Sequence, residues 1–422
     1  MRFQTLPQWL AWQERLHFTE VDPGLKRIAE VWQRLGGDTK LPFTVITIAG
    51  TNGKGSSVAM LESILRVAGY RTGSYTSPHL LAYNERICID GEPSDDKTIC
   101  DAFDLIDNAL ADSTLTYFEF ATLAAADIFS RNKIDIAIFE VGMGGRLDAV
   151  NLFDADIALI TPISLDHTAW LGDNREAIGS EKAGVIRQAK PVVCSEKKPP
   201  LSVVNYAVSI KSPLYIAGSE FNIVKNKDNW HWSNTEIEWN NLPFPALMGE
   251  YQIQNAAAVL QVISLLSHQS YSISEDAIRK GLSTVQLAGR FQQILGDVTQ
   301  ILDVTHNQQG AENLAKLLVE IPCDGQTFAV LAMLKDKDVT TVASILKSAI
   351  DVWYLAGLDG NRGMSAKILA SKLCTIINED SIKTASTVSD AYTQAMREAK
   401  KGDRVLVFGS FHTIEAVLKA KL

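Results

Sequence analysis

Apolar and polar positions change period several times along the chain, and the changes mark out elements. Two amphipathic helical patterns come first, near Pro7–His17 and Leu25–Leu35, the second closing on Gly36-Gly37. A continuous apolar run follows, Phe43–Ala49 (FTVITIA), of the kind that fills a parallel strand buried on both faces. After a glycine-rich turn, Val58, Leu61, Leu65 and Ala68 recur at helical spacing up to Gly69. Apolar runs at Ile134–Val141 and Asp156–Ile163 and a short run at Thr72–Tyr75 predict strands, and Tyr117–Ser130 and Asn174–Ile186 predict helices. Residues 219–245 break the rhythm. Their alternating tryptophans and two prolines predict a small antiparallel excursion, followed by helices over Gln254–Leu266 and Ser274–Thr284. Strands at Thr299–Val304, Thr327–Ala332, Val352–Ala356 and Arg404–Phe408, with helices between, restart the alternation. This predicts an α/β protein with mainly parallel sheets.

Gln286–Gly289 is the best boundary, giving an N-terminal P-loop ATPase-type parallel-sheet domain over 1–287 and a C-terminal Rossmann-like α/β domain over 288–422. The length, 422 residues, suits two or three domains. A formal net charge of −9 and a pI near 5.4 argue against nucleic acid or an anionic membrane as main partner. Five widely spaced cysteines without a CxxC fit a reducing compartment, and no apolar run approaches the ~20 residues that span a bilayer. A cytoplasmic protein acting on small molecules is expected, with a monomer as the simplest state.

Candidate chemistry gathers where strands end. Residues 50–56, Gly-Thr-Asn-Gly-Lys-Gly-Ser, sit between the Phe43–Ala49 strand and a helix. Glycines let backbone N–H groups face phosphate oxygens, the helix start adds partial positive charge, and Lys54 adds a full one. The general P-loop pattern is not met, because Ile48 stands six residues before Lys54 and Gly55 separates Lys54 from Ser56. Three more strand ends carry Ser77 in TSPHL, Glu140 and Asp148 in EVGMGGRLD, and His167 in DHT. Taken singly, Ser77-Pro78 reads as a turn, Glu140 as a surface cap and His167 as structural. Thr116 and Glu119 have the spacing of a capping box opening an alanine-rich helix, which makes Tyr117 and Phe118 ordinary packed aromatics.

Taken together and in order, these segments resemble the folylpolyglutamate synthase branch of the Mur ligase superfamily, in particular its bifunctional dihydrofolate synthase/folylpolyglutamate synthases. The resemblance rests on AGTNGKGSS, TSPHL, LTYFE, EVGMGGRLDA, DHT, SEKAGVI, GRF, DVTHN and GSFH, and covers nearly the whole chain. It implies ATP bound by Gly53, Lys54, Gly55, Ser56, Asn255, Arg290 and Asp303. It implies Mg2+, as two ions, with Ser77, Glu140 and His167 as ligands, and a carbamylated Lys182 bracing the second. A pterin pocket is implied from Asp22, Pro23, Gly24, Leu25, Thr116, Tyr117, Phe118, Glu119, Leu147, Asp148 and Ala149. Glutamate is implied at Ser410, with His306 and Asp303 facing it and ATP from the second domain. The implied reaction ligates L-glutamate to dihydropteroate and to tetrahydrofolates through an acyl phosphate. The alternatives are an enzyme that only elongates folates, a Mur ligase acting on a UDP-linked precursor, and a nucleotide-dependent switch. With 49 residues before Gly50, a separate UDP-binding domain of typical size is not expected.

Overall fold

A computed structural model describes residues 1–19, 22–321 and 323–421. The chain forms two compact units. One comprises Met1–His79, Tyr83–Ala246 and Gln252–Val285, the other Leu80–Ala82, Leu247–Tyr251 and Gln286–Leu422.

Among the described residues, the main sheet of the first unit has eight strands. Across the sheet they are Glu92–Pro93, Ile87–Ile89, Thr72–Tyr75, Ile136–Glu140, Thr44–Ala49, Ile157–Ile160, Val192–Cys194 and Leu214–Ile216. The last six run parallel, and the first two form an antiparallel hairpin on the edge. The central strand, Thr44–Ala49, is buried from Val45 onward, as expected for an apolar run covered on both faces. Helices Lys54–Val67 and Tyr117–Asn132 bury long faces, the second through Phe120, Leu123, Ala124 and Ile128. The edge hairpin and the helix Asp96–Ala109 lie in a stretch where polar and apolar positions give no clean period.

Residues 221–242 form the expected antiparallel excursion, with strands Phe221–Lys225, Trp230–Asn234 and Glu238–Leu242. Its alternation has a packing cause. Trp230 and Trp232 turn inward, Trp232 stacks on Trp239 at 4.6 Å, and its indole N–H donates to the Ala257 carbonyl of helix Glu250–His268 at 2.9 Å.

The second unit carries a six-stranded sheet, counted over the described residues, in the order Gln292–Ile294, Thr299–Asp303, Arg404–Phe408, Thr327–Leu331, Val352–Ala356 and Ile382–Ala385. All neighbours are parallel except the first pair. Alternate residues feed two cores. Ile301, Ala329, Leu331, Leu406 and Phe408 face one, while Leu302, Phe328, Val330, Val405 and Val407 face the other. A sheet covered on both faces follows from that pattern.

Most element bounds differ from the sequence expectation by one to three residues, chiefly at strand ends. The strand expected over Asp156–Ile163 stops at Ile160, where the chain leaves the sheet toward Asp166. No helix among the described residues is long and apolar enough to cross a membrane.

Candidate active site at the strand ends

The turn after Thr44–Ala49 needs its glycines for two reasons. Gly50 has φ +147° and Gly53 has φ +91°, conformations that side chains disfavour. A Cβ on Gly50 would also lie 1.7 Å from Thr161 Oγ1, and one on Gly53 would lie 2.6 Å from Asn255 Oδ1. The loop is tied down from the next strand, since Thr51 N–H donates to Pro162 O and Thr51 Oγ1 donates to Ser164 O at 3.1 Å. Gly53 caps helix Lys54–Val67, so Lys54 and Gly55 occupy its first turn, where free N–H groups and the helix dipole favour an anion. The Lys54 ammonium folds back over the turn, 3.2 Å from Gly50 O and 3.4 Å from Thr51 O. Ser56 is buried and accepts a hydrogen bond from Gln252 Nε2, whose amide oxygen in turn accepts from Asn255 Nδ2. Asn255 does not stand at the start of its helix, where the span expected over Gln254–Leu266 puts it. It lies in the second turn, because the helix already starts at Glu250.

Lys182 is not a solvated helix lysine. It is 3% exposed at the end of helix Arg175–Ala183, and its ammonium donates to Gly50 O at 2.8 Å. The Gly-Gly-Arg turn places that helix. A Cβ on Gly145 would lie 2.8 Å from Glu181 O, Arg146 N–H donates to the same oxygen, and the Arg146 side chain pairs with Glu181 at 2.8 Å. Burial pushes the Lys182 ammonium down to about 7, the nearby charge of Lys54 pushes the same way, and Asp166 and Asp148 oppose it. Burial likewise pushes the Asp148 carboxyl up to about 6, against the N–H groups of Met143 and Val150 and the charge of Lys54. A lysine and a carboxylate both shifted toward neutrality, within electrostatic reach of a phosphate-type turn, mark a candidate site on physical grounds.

Glu140 ends its strand, is 5% exposed, and accepts the Ser77 N–H at 3.3 Å. Ser77 and Glu140 are therefore neighbours. His167 adopts φ +51° at the start of the short helix Thr168–Leu171, and its N–H donates to Asp166 Oδ1 at 2.8 Å. No group of three His, Cys, Asp or Glu side chains among the described residues closes on one point. A cation beside Glu140 and Ser77 would thus draw most of its oxygens from a phosphate chain and water, which suits Mg2+.

The segments expected at a pterin converge in part. Gly24 N–H donates to Leu147 O at 3.3 Å, which joins the Asp22–Leu25 loop to Leu147-Asp148-Ala149. Leu25 and Ala149 pack into the core, whereas Pro23 is exposed. The capping box at Thr116 and Glu119 is formed. Glu119 is also held by Arg27 at 2.8 Å, and Arg27 reaches Asp22, whose carboxylate also contacts His17 Nε2 at 3.1 Å. Phe118 lies 5.7 Å from Tyr75 and covers the glycine turn, since a Cβ on Gly142 would lie 2.7 Å from its ring. Tyr117 meets Tyr83 edge-on at 5.7 Å.

In the second unit, Asp303 ends its strand and accepts N–H bonds from Phe291 and Thr305, both at 2.8 Å. The GRF turn is thereby fastened to the DVTHN turn. Arg290 lies over the Phe411 ring at 5.1 Å, His306 Nδ1 contacts Val304 O at 2.8 Å, and Ser410 caps helix Phe411–Lys419. Gln252, Thr161 and Arg27 escaped the sequence reading. Of these only Gln252 had a signal, three residues before Asn255 on one helix face.

Comparison with known proteins converges. The Mur ligase middle domain model matches residues 48–263, and the Mur ligase glutamate ligase domain model matches residues 289–411. The Escherichia coli K12 dihydrofolate synthase/folylpolyglutamate synthase is 41% identical over 98% of this chain and 95% of its own length. The solved structure of Escherichia coli FolC in complex with DHPP and ADP superposes with a TM-score of 0.92, at 40% identity over 99% of this chain and 98% of that one. A bifunctional folylpolyglutamate synthase/dihydrofolate synthase solved with Mn, AMPPNP and L-glutamate bound superposes at 0.90, with 40% identity over 99% of this chain and 98% of the other. The chain belongs to the dihydrofolate synthase/folylpolyglutamate synthase family of Mur ligases.

Proposed function

We propose that this chain is an ATP-dependent ligase that joins L-glutamate to dihydropteroate, giving dihydrofolate, and to the γ-carboxylate of folates. The relatives' names and the ADP, AMPPNP, Mn and glutamate of the solved relatives support this reading. The observation that carries it is the convergence of Lys54 and Lys182 on the Gly50 carbonyl, at a helix start and beside buried acids. Phosphoryl transfer asks a protein for positioned charge more than for a nucleophile, and this arrangement supplies it.

In the proposed reaction an oxygen of the acceptor carboxylate attacks the γ-phosphorus, and ADP leaves. The glutamate amine, having shed a proton, then attacks the acyl carbon, and phosphate leaves with the C–O electron pair. Gly53, Lys54, Gly55 and Ser56 would cradle the phosphates, with Asn255, Arg290 and Asp303 completing the nucleotide contacts. His306 and Ser410 would meet the glutamate. Ser77, Glu140 and His167 would hold magnesium, which neutralises phosphate charge when bound. Asp22 to Leu25, Thr116 to Glu119 and Leu147 to Ala149 would form the pterin side. Lys182, held down to about 7, keeps a large share of neutral amine near neutral pH. Neutral amine can attack CO2 and lose a proton to become an anionic carbamate that braces a second cation. We place the enzyme in the cytoplasm, acting on small molecules as a monomer.

Mass spectrometry of products from ATP, L-glutamate and either dihydropteroate or tetrahydrofolate tests the reading. Dihydrofolate from the first acceptor and a glutamate-extended folate from the second are expected. Tetrahydrofolate extension without dihydrofolate formation would leave an elongating enzyme only, and ATP hydrolysis indifferent to glutamate would leave no ligase. Phe118→Ala is expected to impair dihydropteroate use more than tetrahydrofolate use, because an acceptor lacking a glutamate tail leans harder on its ring.

A further inference from the structure

Two arginines among the described residues are less than a tenth exposed, and they are used in opposite ways. Arg404 spends its whole guanidinium, with Nη1 on the carbonyls of Leu318 and Ile321 and Nε and Nη2 on Thr327 Oγ1. Arg86 spends one nitrogen, Nε donating to His79 Nδ1 at 2.8 Å. Its Nη1 and Nη2 make no hydrogen bond and no ion pair with any described residue, yet neither is sealed from solvent. The guanidinium carbon lies instead over two rings that meet edge-on, those of Tyr83 and Tyr117, each with its centre 5.5 Å from Cζ. Arg86 is thus a buried cation, seated on two tyrosine rings, whose outer fork has no hydrogen-bond or ion-pair partner among the described residues.

A buried charge left without an anion is costly, and a guanidinium fork matches a carboxylate in two parallel bonds. Its place narrows the ligand. The Arg86 carbonyl accepts the Thr76 N–H at 2.9 Å, so it is anchored to the strand end that carries Ser77, which touches Glu140. Its guanidinium also lies over Tyr117, in the first turn of the helix assigned to the pterin. Between a pterin and the reacting phosphate lies the carboxylate that is to be activated. We infer that Arg86 is the receptor for the acceptor carboxylate, holding it through Nη1 and Nη2 while His79 and the two tyrosines fix the fork. This rests on the functional reading above and adds a residue that no motif pointed to.

The test is calorimetric binding of dihydropteroate and of its carboxamide, with ADP present, to the full chain and to Arg86→Gln and Arg86→Met. Wild type is expected to prefer the carboxylate by about tenfold or more, the worth of a charge-assisted pair. Both variants should bring that ratio to within about twofold while ADP affinity stays unchanged. If one variant fails to fold, the other decides, since methionine packs against the tyrosine rings without a polar head. A folded variant that keeps the wild-type ratio overturns the inference. So does an equal loss for both ligands, which would mark a packing role. Wild type binding both compounds equally would refute the inference and leave the functional reading standing, whereas wild type binding neither would refute the reading itself.

Discussion

The strand ends of the two units carry similar residues and spend them differently. In the C-terminal unit, polar side chains at these positions are absorbed by neighbouring backbone N–H groups. Asp303 takes the N–H groups of Phe291 and Thr305, Asn307 takes that of Gly310, and Ser410 takes that of Thr413. In the N-terminal unit, Lys182 and Asp148 are buried at a cost that their contacts do not offset, so burial drags one down to about 7 and the other up to about 6. Satisfied polar groups build a scaffold; buried groups displaced from their ordinary titration range are poised for a ligand. The contrast predicts that substitutions in the first set cost stability in addition to any ligand contact, whereas those in the second cost mainly activity.

The sharpest break would come at Lys54. Lys54→Ala removes the cation of the phosphate turn while leaving both glycines and the helix cap in place. The expected loss of glutamate-dependent ADP release is about 10²- to 10³-fold, as for removal of one preorganised charge stabiliser. The melting temperature should hardly move. Near-normal turnover would place the N-terminal turn with the scaffolds and erase the contrast.

Lys182 offers a test that needs no substrate. A lysine whose folded value is lowered contributes stability that is present above its unfolded value, near 10.5, and is lost as pH falls toward about 7. Below about 7 the native state bears the whole cost of a buried ammonium. Lys182→Met removes that cost. The variant should therefore melt above wild type at pH 6, with the gap narrowing as pH rises from 7 toward 10. A gap independent of pH would show that Lys182 is charged and well solvated in the native state. Intact mass gaining one CO2 under bicarbonate, lost in the variant, would add the carbamate.

The same contrast explains what could be read from the chain in advance. Strands such as Thr44–Ala49 and Val352–Ala356 were legible because burial on both faces leaves a continuous apolar run. Lys54 was legible because its glycines are local in sequence. Lys182 was different. Its bond to Gly50 joins residues 132 apart, and on periodicity alone it was a surface lysine. Only the resemblance of SEKAGVI singled it out. Arg86 and Arg27 carry no such local mark, since what sets each apart is the presence or absence of an acid from a distant segment. The helix Asp96–Ala109 and the edge hairpin were missed for a plainer reason, a mixed polar pattern on elements with one solvated face.

Arg27 is the exception inside the N-terminal unit, because it bridges Asp22 and Glu119 and is fully engaged. It should behave as scaffold. Arg27→Met is expected to cost about 2 kcal/mol, chiefly from leaving the buried Glu119 carboxylate without its cation and tempered by the partial exposure of Arg27 and Asp22. Thermal melts at pH 7 measure it. The Michaelis constant for dihydropteroate should rise only as far as the Asp22–Leu25 loop loosens, with kcat little changed. A collapse of kcat with unchanged stability would move Arg27 into the reacting set.

Ser410 has the smallest expected effect and asks whether a scaffold residue also meets a ligand. Its Oγ accepts the Thr413 N–H at 3.1 Å and lies 2.7 Å from Thr413 Oγ1. Thr413 Oγ1 donates its one proton to Ala332 O at 2.7 Å, so the Ser410 proton must be the one shared between the two hydroxyls. Ser410 is left with one lone pair and no proton to offer. If it touches glutamate, it accepts from the amine and does not hold a carboxylate. Ser410→Ala should cost about 1 kcal/mol through the lost helix cap. Ser410→Asn supplies another capping oxygen and should recover most of that stability. A Michaelis constant for glutamate that rises in both variants shows a contact of the hydroxyl itself. One that recovers together with the melting temperature in Ser410→Asn shows a cap only, and the residue then belongs wholly with the capping residue Asn307.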